Sequence, residues 1–228
     1  MTQQTARLVP GRPVRAIRSG HRGIRGTASV LRKPVAFESA LERDFLTLLA
    51  LDPNLADVRE QPVRIGYRGA DGRARHYTPD FLVLYGGERP QQVLYEIKYR
   101  ADLRAEWSRL KPAFLAARRY AREHDMRFSI MTEVEIRGPY LANVRFLRGY
   151  RDRSCDEAVE EHLVRTLAVL GETTPQALLA AAYGDRENRI AAVAPLWRLL
   201  ATGRVHADLS QPLTMATPVW VIVGEGFL

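Results

Sequence analysis

The chain of 228 residues has one cysteine, Cys155, and only three lysines, Lys33, Lys98 and Lys111, against 31 arginines. A single thiol excludes an internal disulfide and any cysteine-based metal cluster, and it fits a reducing compartment. No apolar stretch approaches the roughly 18 residues that a membrane helix needs, so no membrane role is expected. The nearest candidate, "VWVIVGEGFL", is short and reads as a strand. No apolar segment of a secretory signal opens the sequence. The glycines of "GADG" and "YGGERP" are turn chemistry, and no phosphate-cradling loop is present.

Acidic residues are absent from residues 1 to 34. There Arg7, Arg12, Arg15, Arg18, Arg22, Arg25, Arg32 and Lys33 supply eight charges, equal to the whole net charge of +8. Pro10, Pro13 and several glycines argue against a packed element, so residues 1–34 are expected to be a flexible basic arm for phosphate backbones. Residues 35–152 carry net +3 and residues 153–228 net −3. That shift places a domain boundary near Arg153.

"FESALERDFLTLLALDP" spaces Phe37, Leu41, Phe45, Leu48 and Leu49 as one buried helical stripe. "VREQPVRIGYR" alternates as a strand, "GADG" turns, and "RARHYTPDFLVLY" continues as strand interrupted at Pro79. "QVLYEIKYR" is a further strand. "LRAEWSRLKPAFLAARRYAREH" is a long helix with Trp107, Leu110, Phe114, Leu115 and Ala121 near one face, and Lys111-Pro112 marks a kink or its true start. "RFSIMTEV" returns as a strand. The order predicts an α/β fold with a mixed sheet flanked by helices.

A chain this committed to arginine places a lysine two residues after Glu96. In a strand Glu96 and Lys98 share one face, while Tyr95, Ile97 and Tyr99 take the other. If the strands return antiparallel, Asp80 lies beside Glu96. Two such carboxylates about 4 to 6 Å apart repel, and one keeps a proton unless a divalent cation lies between them. Hard oxygen ligands suit Mg2+, with Mn2+ as a substitute. Lys98 could then hold the attacking water or stabilise transition-state charge. The competing reading is a turn aspartate and a solvated Glu-x-Lys pair. His76 and His124 read as surface groups that could touch DNA.

Pro79-Asp80 followed by Glu96-Ile97-Lys98 resembles the PD-(D/E)xK nuclease signature. More narrowly, "FESALERDFLTLLALDPNLADVREQPVRIGY", "YTPDFLV", "YEIKYR" and "FSIMTE" in that order resemble the N-terminal domain of TnsA, over about residues 37 to 150. The resemblance implies a restriction-endonuclease-like core over residues 35–152. It implies an Mg2+-dependent DNA endonuclease subunit of a heteromeric transposase, hydrolysing phosphodiester bonds at the 5′ ends of a mobile element. Residue by residue, it implies Glu42, Asp80, Glu96 and Lys98 as catalytic, the three acids as metal ligands. Glu38, Asp44 and Glu60 are alternatives to Glu42. Implied partners are duplex transposon ends, a DDE-type transposase and an AAA+ regulator, in a bacterial cytoplasm at the nucleoid. A stand-alone restriction- or repair-type nuclease and a catalytically silent DNA-binding adaptor are the alternatives.

From Asp156 onward, three helices followed by "GRVHADL" and "TPVWVIV" look like a winged-helix domain over residues 153–228. Thr173 or Thr174 would cap its second helix ahead of Pro175, and its wing is expected at Ser210 to Thr214. The third helix, near Asn188 to Leu200, offers Arg189 and Arg198 to DNA, but the net −3 favours docking to protein.

Overall fold

The computed structural model describes residues 24–69 and 71–222. It divides into two compact units, residues 1–136 and 137–228.

The first unit begins with a hairpin, β1 (Gly26–Val30) and β2 (Lys33–Phe37), paired antiparallel. The arm expected over residues 1–34 lies outside the described residues up to 23, and its described end is not an arm. Val30 and Val35 are buried with Phe37 in the main core. The chain reverses through Leu31 and Arg32, both at positive φ (50° and 61°), a turn usually made with Asn-Gly.

Helix α1 (Ala40–Leu48) follows, capped by Ser39, whose Oγ accepts from the Glu42 amide at 3.1 Å. Its buried stripe of Leu41, Phe45 and Leu46 lies on a four-stranded sheet. The sheet order is β3 (Leu55–Glu60), β6 (Phe81–Tyr85), β7 (Gln91–Ile97), β8 (Arg127–Met131). The first two pairings are antiparallel and the last is parallel. A parallel pair needs a long crossover. Helix α2 (Arg100–Glu123) provides it, running without a break through Pro112.

The single strand expected over "VREQPVRIGYR" is two strands of different sheets. The chain leaves β3 at Gln61, which has φ 44°, and β4 (Ile65–Arg68) pairs with β5 (Ala74–Tyr77) in a separate hairpin. Alternation then sorts the core. Phe81, Val83 and Ile97 face α1, while Leu82 and Leu94 face Ala117, Tyr120 and Ala121 of α2. Trp107 and Leu115, expected on the buried face of α2, are 47% and 53% exposed. A short helix, α3 (Glu133–Ile136), closes the unit.

The second unit starts at residue 137, not near 153, because α4 (Pro139–Arg151) packs along α8 (Val193–Ala201). Between them come α5 (Glu157–Leu170), α6 (Pro175–Ala182) and α7 (Arg186–Ala191). The helix expected near 188–200 is thus two helices. Thr174 caps α6 as anticipated, its Oγ1 accepting from the Ala177 amide at 3.2 Å. Strands β9 (His206–Ala207) and β10 (Val219–Trp220) pair antiparallel, and Thr173 bridges to Val219. Buried Asn143 of α4 ties down the loop between β9 and β10. Its Nδ2 donates to the Leu209 and Gln211 carbonyls (2.9 and 2.6 Å), and its Oδ1 accepts from the Leu213 amide at 3.0 Å. Among the described residues no helix is long and apolar enough to cross a membrane.

Candidate active site

Asp80 is fixed at the entrance to β6 from two sides. Its carbonyl accepts from the Gln61 amide at 2.7 Å, and its own amide donates to the Tyr95 carbonyl at 3.0 Å. Pro79 precedes it and has no N–H to give to a ladder, so the chain joins the sheet at Asp80. Register then sets its neighbour. Phe81 pairs with Tyr95, and one step back puts Asp80 against Glu96, as the antiparallel reading anticipated. The Asp80 carboxylate also caps the end of β7, Oδ2 accepting from the Ile97 amide at 2.7 Å.

Glu96 is only 7% exposed, and the Tyr77 hydroxyl donates to its Oε2 at 2.6 Å. Burial pushes the Glu96 carboxyl from 4.5 up to about 7, and the charge of Glu42 adds to the rise. The Tyr77 hydrogen bond and the positive charge of Lys98 act against it. Asp80 is raised well above the usual carboxylate range by burial, then by the charges of Glu96 and Glu42; the Ile97 amide and Lys98 oppose this. Tyr77 is held far above 10 by burial and by Glu96, so it remains a hydrogen-bond donor to that carboxylate.

Lys98 stands one residue beyond β7, and its amide donates to the Met131 carbonyl at 3.1 Å, continuing the parallel ladder. Among the described residues no ion pair within 4 Å holds its ammonium. Its charge nonetheless acts on both Asp80 and Glu96.

Glu42 enters from α1. Its Oε2 accepts from the Glu38 amide at 2.7 Å, which holds the side chain across the helix start. Glu38, Glu42, Glu60, Gln61 and Asp80 line one small cleft. Of the acids weighed for the helix-borne role, Glu42 is the one whose charge raises both Asp80 and Glu96. Asp44 is buried elsewhere on α1, 3.4 Å from Arg43.

Among the described residues no three His, Cys, Asp or Glu side chains form a ready metal cage. The expected trio of ligands is therefore not assembled as a closed set. What fits is an open site. Mg2+ is commonly held by one or two carboxylates, with water and substrate phosphate completing its shell. The adjacent carboxyls of Asp80 and Glu96, both raised by burial and by the charge of Glu42, are such a hard-oxygen pair.

Two residues of the site escaped the sequence reading. Tyr77 sits three residues before Asp80 in "HYTPD", where its only signal was a tyrosine ending a strand. Gln61 is 9% exposed; its Nε2 donates to Glu38 Oε1 at 3.3 Å and its Oε1 is buried without a partner. Conversely, Arg198, offered as a DNA contact, lies 2.6 Å from the buried Glu160 carboxylate. His76 is exposed and 3.1 Å from Arg64, and His124 is exposed and stacks on Tyr120.

A family model described as "TnsA-like endonuclease N terminal" matches residues 52–133, which span β3 to the start of α3 and include Asp80, Glu96 and Lys98. No curated protein matches the chain.

Proposed function

We propose that this chain, a member of the TnsA-like endonuclease family, is the metal-dependent DNA endonuclease subunit of a heteromeric transposase, cutting at the 5′ ends of a mobile element. The observation that carries the reading is the placement of Asp80 against Glu96 in register, with Lys98 on the same strand face as Glu96.

Asp80 and Glu96 would hold a divalent cation, Mg2+ or Mn2+, with Glu42 at the cleft rim. Such an ion supplies Lewis-acid stabilisation of the phosphoryl oxygens and lowers the pKa of bound water. The remaining work belongs to the side chains. Tyr77 fixes the Glu96 carboxylate by donating to Oε2, which leaves Oε1 for a cation. The Ile97 amide does the same for Asp80 through Oδ2. The Lys98 ammonium orients a water and stabilises negative charge that builds on the phosphoryl oxygens. Water oxygen adds to phosphorus and gives up a proton to solvent, the bond to the leaving sugar oxygen breaks, and that oxygen takes up a proton from solvent.

The second unit reads best as a winged-helix-like module that docks to protein, a DDE-type transposase and an AAA+ regulator being the partners. Helix, bridge, three helices, β9, loop and β10 approximate the winged-helix order, with α7 and α8 together in the place of its third helix. Its loop is anchored by Asn143 and its Arg198 is spent on Glu160, so both are withdrawn from groove reading. The second unit as a whole is not acidic. Arg137, Arg145, Arg148 and Arg151 against Asp152 cancel the −3 of residues 153–228.

The test is cleavage of end-labelled element DNA by the full chain with its candidate transposase and Mg2+. Cuts at defined positions that disappear with Asp80→Asn support the reading. Cuts that survive it sink it.

A further inference from the structure

Helix α2 leaves the site two residues after Lys98 and runs for 24 residues. Leu110, Ala113, Phe114, Ala117, Tyr120 and Ala121 form its buried side. At 100° per residue the opposite side carries Arg100, Arg104, Lys111, Arg118, Arg119 and Arg122, all exposed. Of the helix's acids, Asp102 and Glu106 stand at angles of the buried side, where Arg109 takes Glu106, and Glu123 ends the helix 40° from Arg119. Among the described residues none of the six cations is in an ion pair. Arg100 with Arg104 and Arg118 with Arg122 are like-charge pairs at i, i+4, each disfavouring the helix by about 0.2–0.5 kcal/mol. A solvated face would gain by mixing signs, and this one carries a single acid, Glu123, at its last turn.

We propose that this face of α2 is a track for the phosphate backbone of duplex DNA leading to the cleavage site, an inference that rests on the endonuclease reading. From Arg100 to Arg122 the helix advances about 33 Å, close to one turn of B-DNA at about 34 Å. The face begins at Arg100, two residues after Lys98, so its first turn adjoins the site. The buried side of the same helix packs on the site's support, Phe114 meeting Tyr77, the partner of Glu96, edge-on at 5.8 Å. The charge is almost all guanidinium, which matches phosphate geometry. The face shows two separate apolar side chains, Trp107 and Leu115, and no apolar groove to seat a protein helix.

The test measures binding of the full chain to a random duplex of about 30 base pairs, in EDTA so that nothing is cut, across about 50 to 200 mM salt. The variant Arg118→Gln/Arg119→Gln/Arg122→Gln alters the end of α2 farthest from Lys98. At a slope of about −0.9 per phosphate contact, log affinity against log salt should become shallower by about 2 to 3. The Lys-for-Arg triple should keep the wild-type slope, separating charge from folding. A wild-type slope in the Gln triple overturns the track, and cleavage by the wild type would then leave the endonuclease reading standing. Salt-dependent binding without cleavage in the presence of the transposase would sink that reading and keep the track. Retained DNA binding with lost binding of a transposase partner would assign the face to protein and overturn the proposal. No DNA binding by the wild type would overturn both.

Discussion

In the absence of metal the first unit should lose stability as pH rises from 5 to 8, and Glu96 should be the cause. Its carboxyl titrates at about 7 in the fold and near 4.5 in the free chain. Below pH 4.5 both states hold the proton. Between 4.5 and 7 the unfolded chain has released it while the folded chain retains it, so stability falls with rising pH and levels off above 7. The difference is worth about 3 kcal/mol for Glu96 alone. Asp80 is raised in the same direction and adds to it. Against a typical domain stability of about 5–15 kcal/mol, this is a large fraction. Urea unfolding in EDTA, read from Trp107, would measure it. Trp107 is the one tryptophan of the first unit, so Trp197→Phe/Trp220→Phe removes the signal of the second. Glu96→Gln should flatten the pH dependence, and Mg2+ should restore stability most at pH 8, because binding needs deprotonated carboxylates. A flat or rising wild-type curve in EDTA, or an unchanged slope in Glu96→Gln, would refute the reasoning.

Tyr77→Phe removes the hydrogen bond that opposes the rise of Glu96, so half-saturation by Mg2+ at pH 7 should shift to higher concentration, by about tenfold for one lost charge-assisted bond; calorimetric titration would read it. Asn143→Ala deletes three hydrogen bonds from a buried side chain to the β9–β10 loop and should cost about 2–3 kcal/mol in urea unfolding of the second unit, with cleavage chemistry unaffected. Arg198→Met leaves Glu160 with its nearest cation gone, so the melting temperature should fall more than for Arg189→Ala. Deleting residues 1–23, which carry five arginines and no acid, should make log DNA affinity shallower against log salt by up to about 4. Deleting to residue 34 should instead unfold the protein, because Val30 is core.

The strands and helices of the nuclease core were legible because their periodicity is strong. β6 is the apolar run FLVLY and β7 carries Val93, Leu94, Tyr95 and Ile97, with Asp80 just before the first, Glu96 within the second and Lys98 just after it. The placement of Asp80 against Glu96 followed from the turn at "YGGERP". What was hidden depended on backbone conformations that residue types do not announce. Leu31-Arg32 makes a left-handed turn without glycine, so a basic hairpin read as an arm. Gln61, at φ 44°, ends β3 inside what looked like one alternating strand. Tertiary partners were hidden too. Tyr77 gains meaning only when β5 meets β7, and α4 joins the second unit only through α8. Charge sums drawn at residue 153 therefore described a segment rather than a unit.

The most direct measurement of the central claim is cleavage mapping on labelled element-end DNA with Mg2+ and the partner transposase, comparing wild type, Asp80→Asn, Lys98→Ala and Lys98→Arg at equal DNA occupancy. The account predicts cuts at defined 5′-end phosphodiesters for the wild type and none for Asp80→Asn or Lys98→Ala, with Lys98→Arg poor because a guanidinium is broader than an ammonium. Near-wild-type cutting by Lys98→Ala, with binding intact, would contradict it.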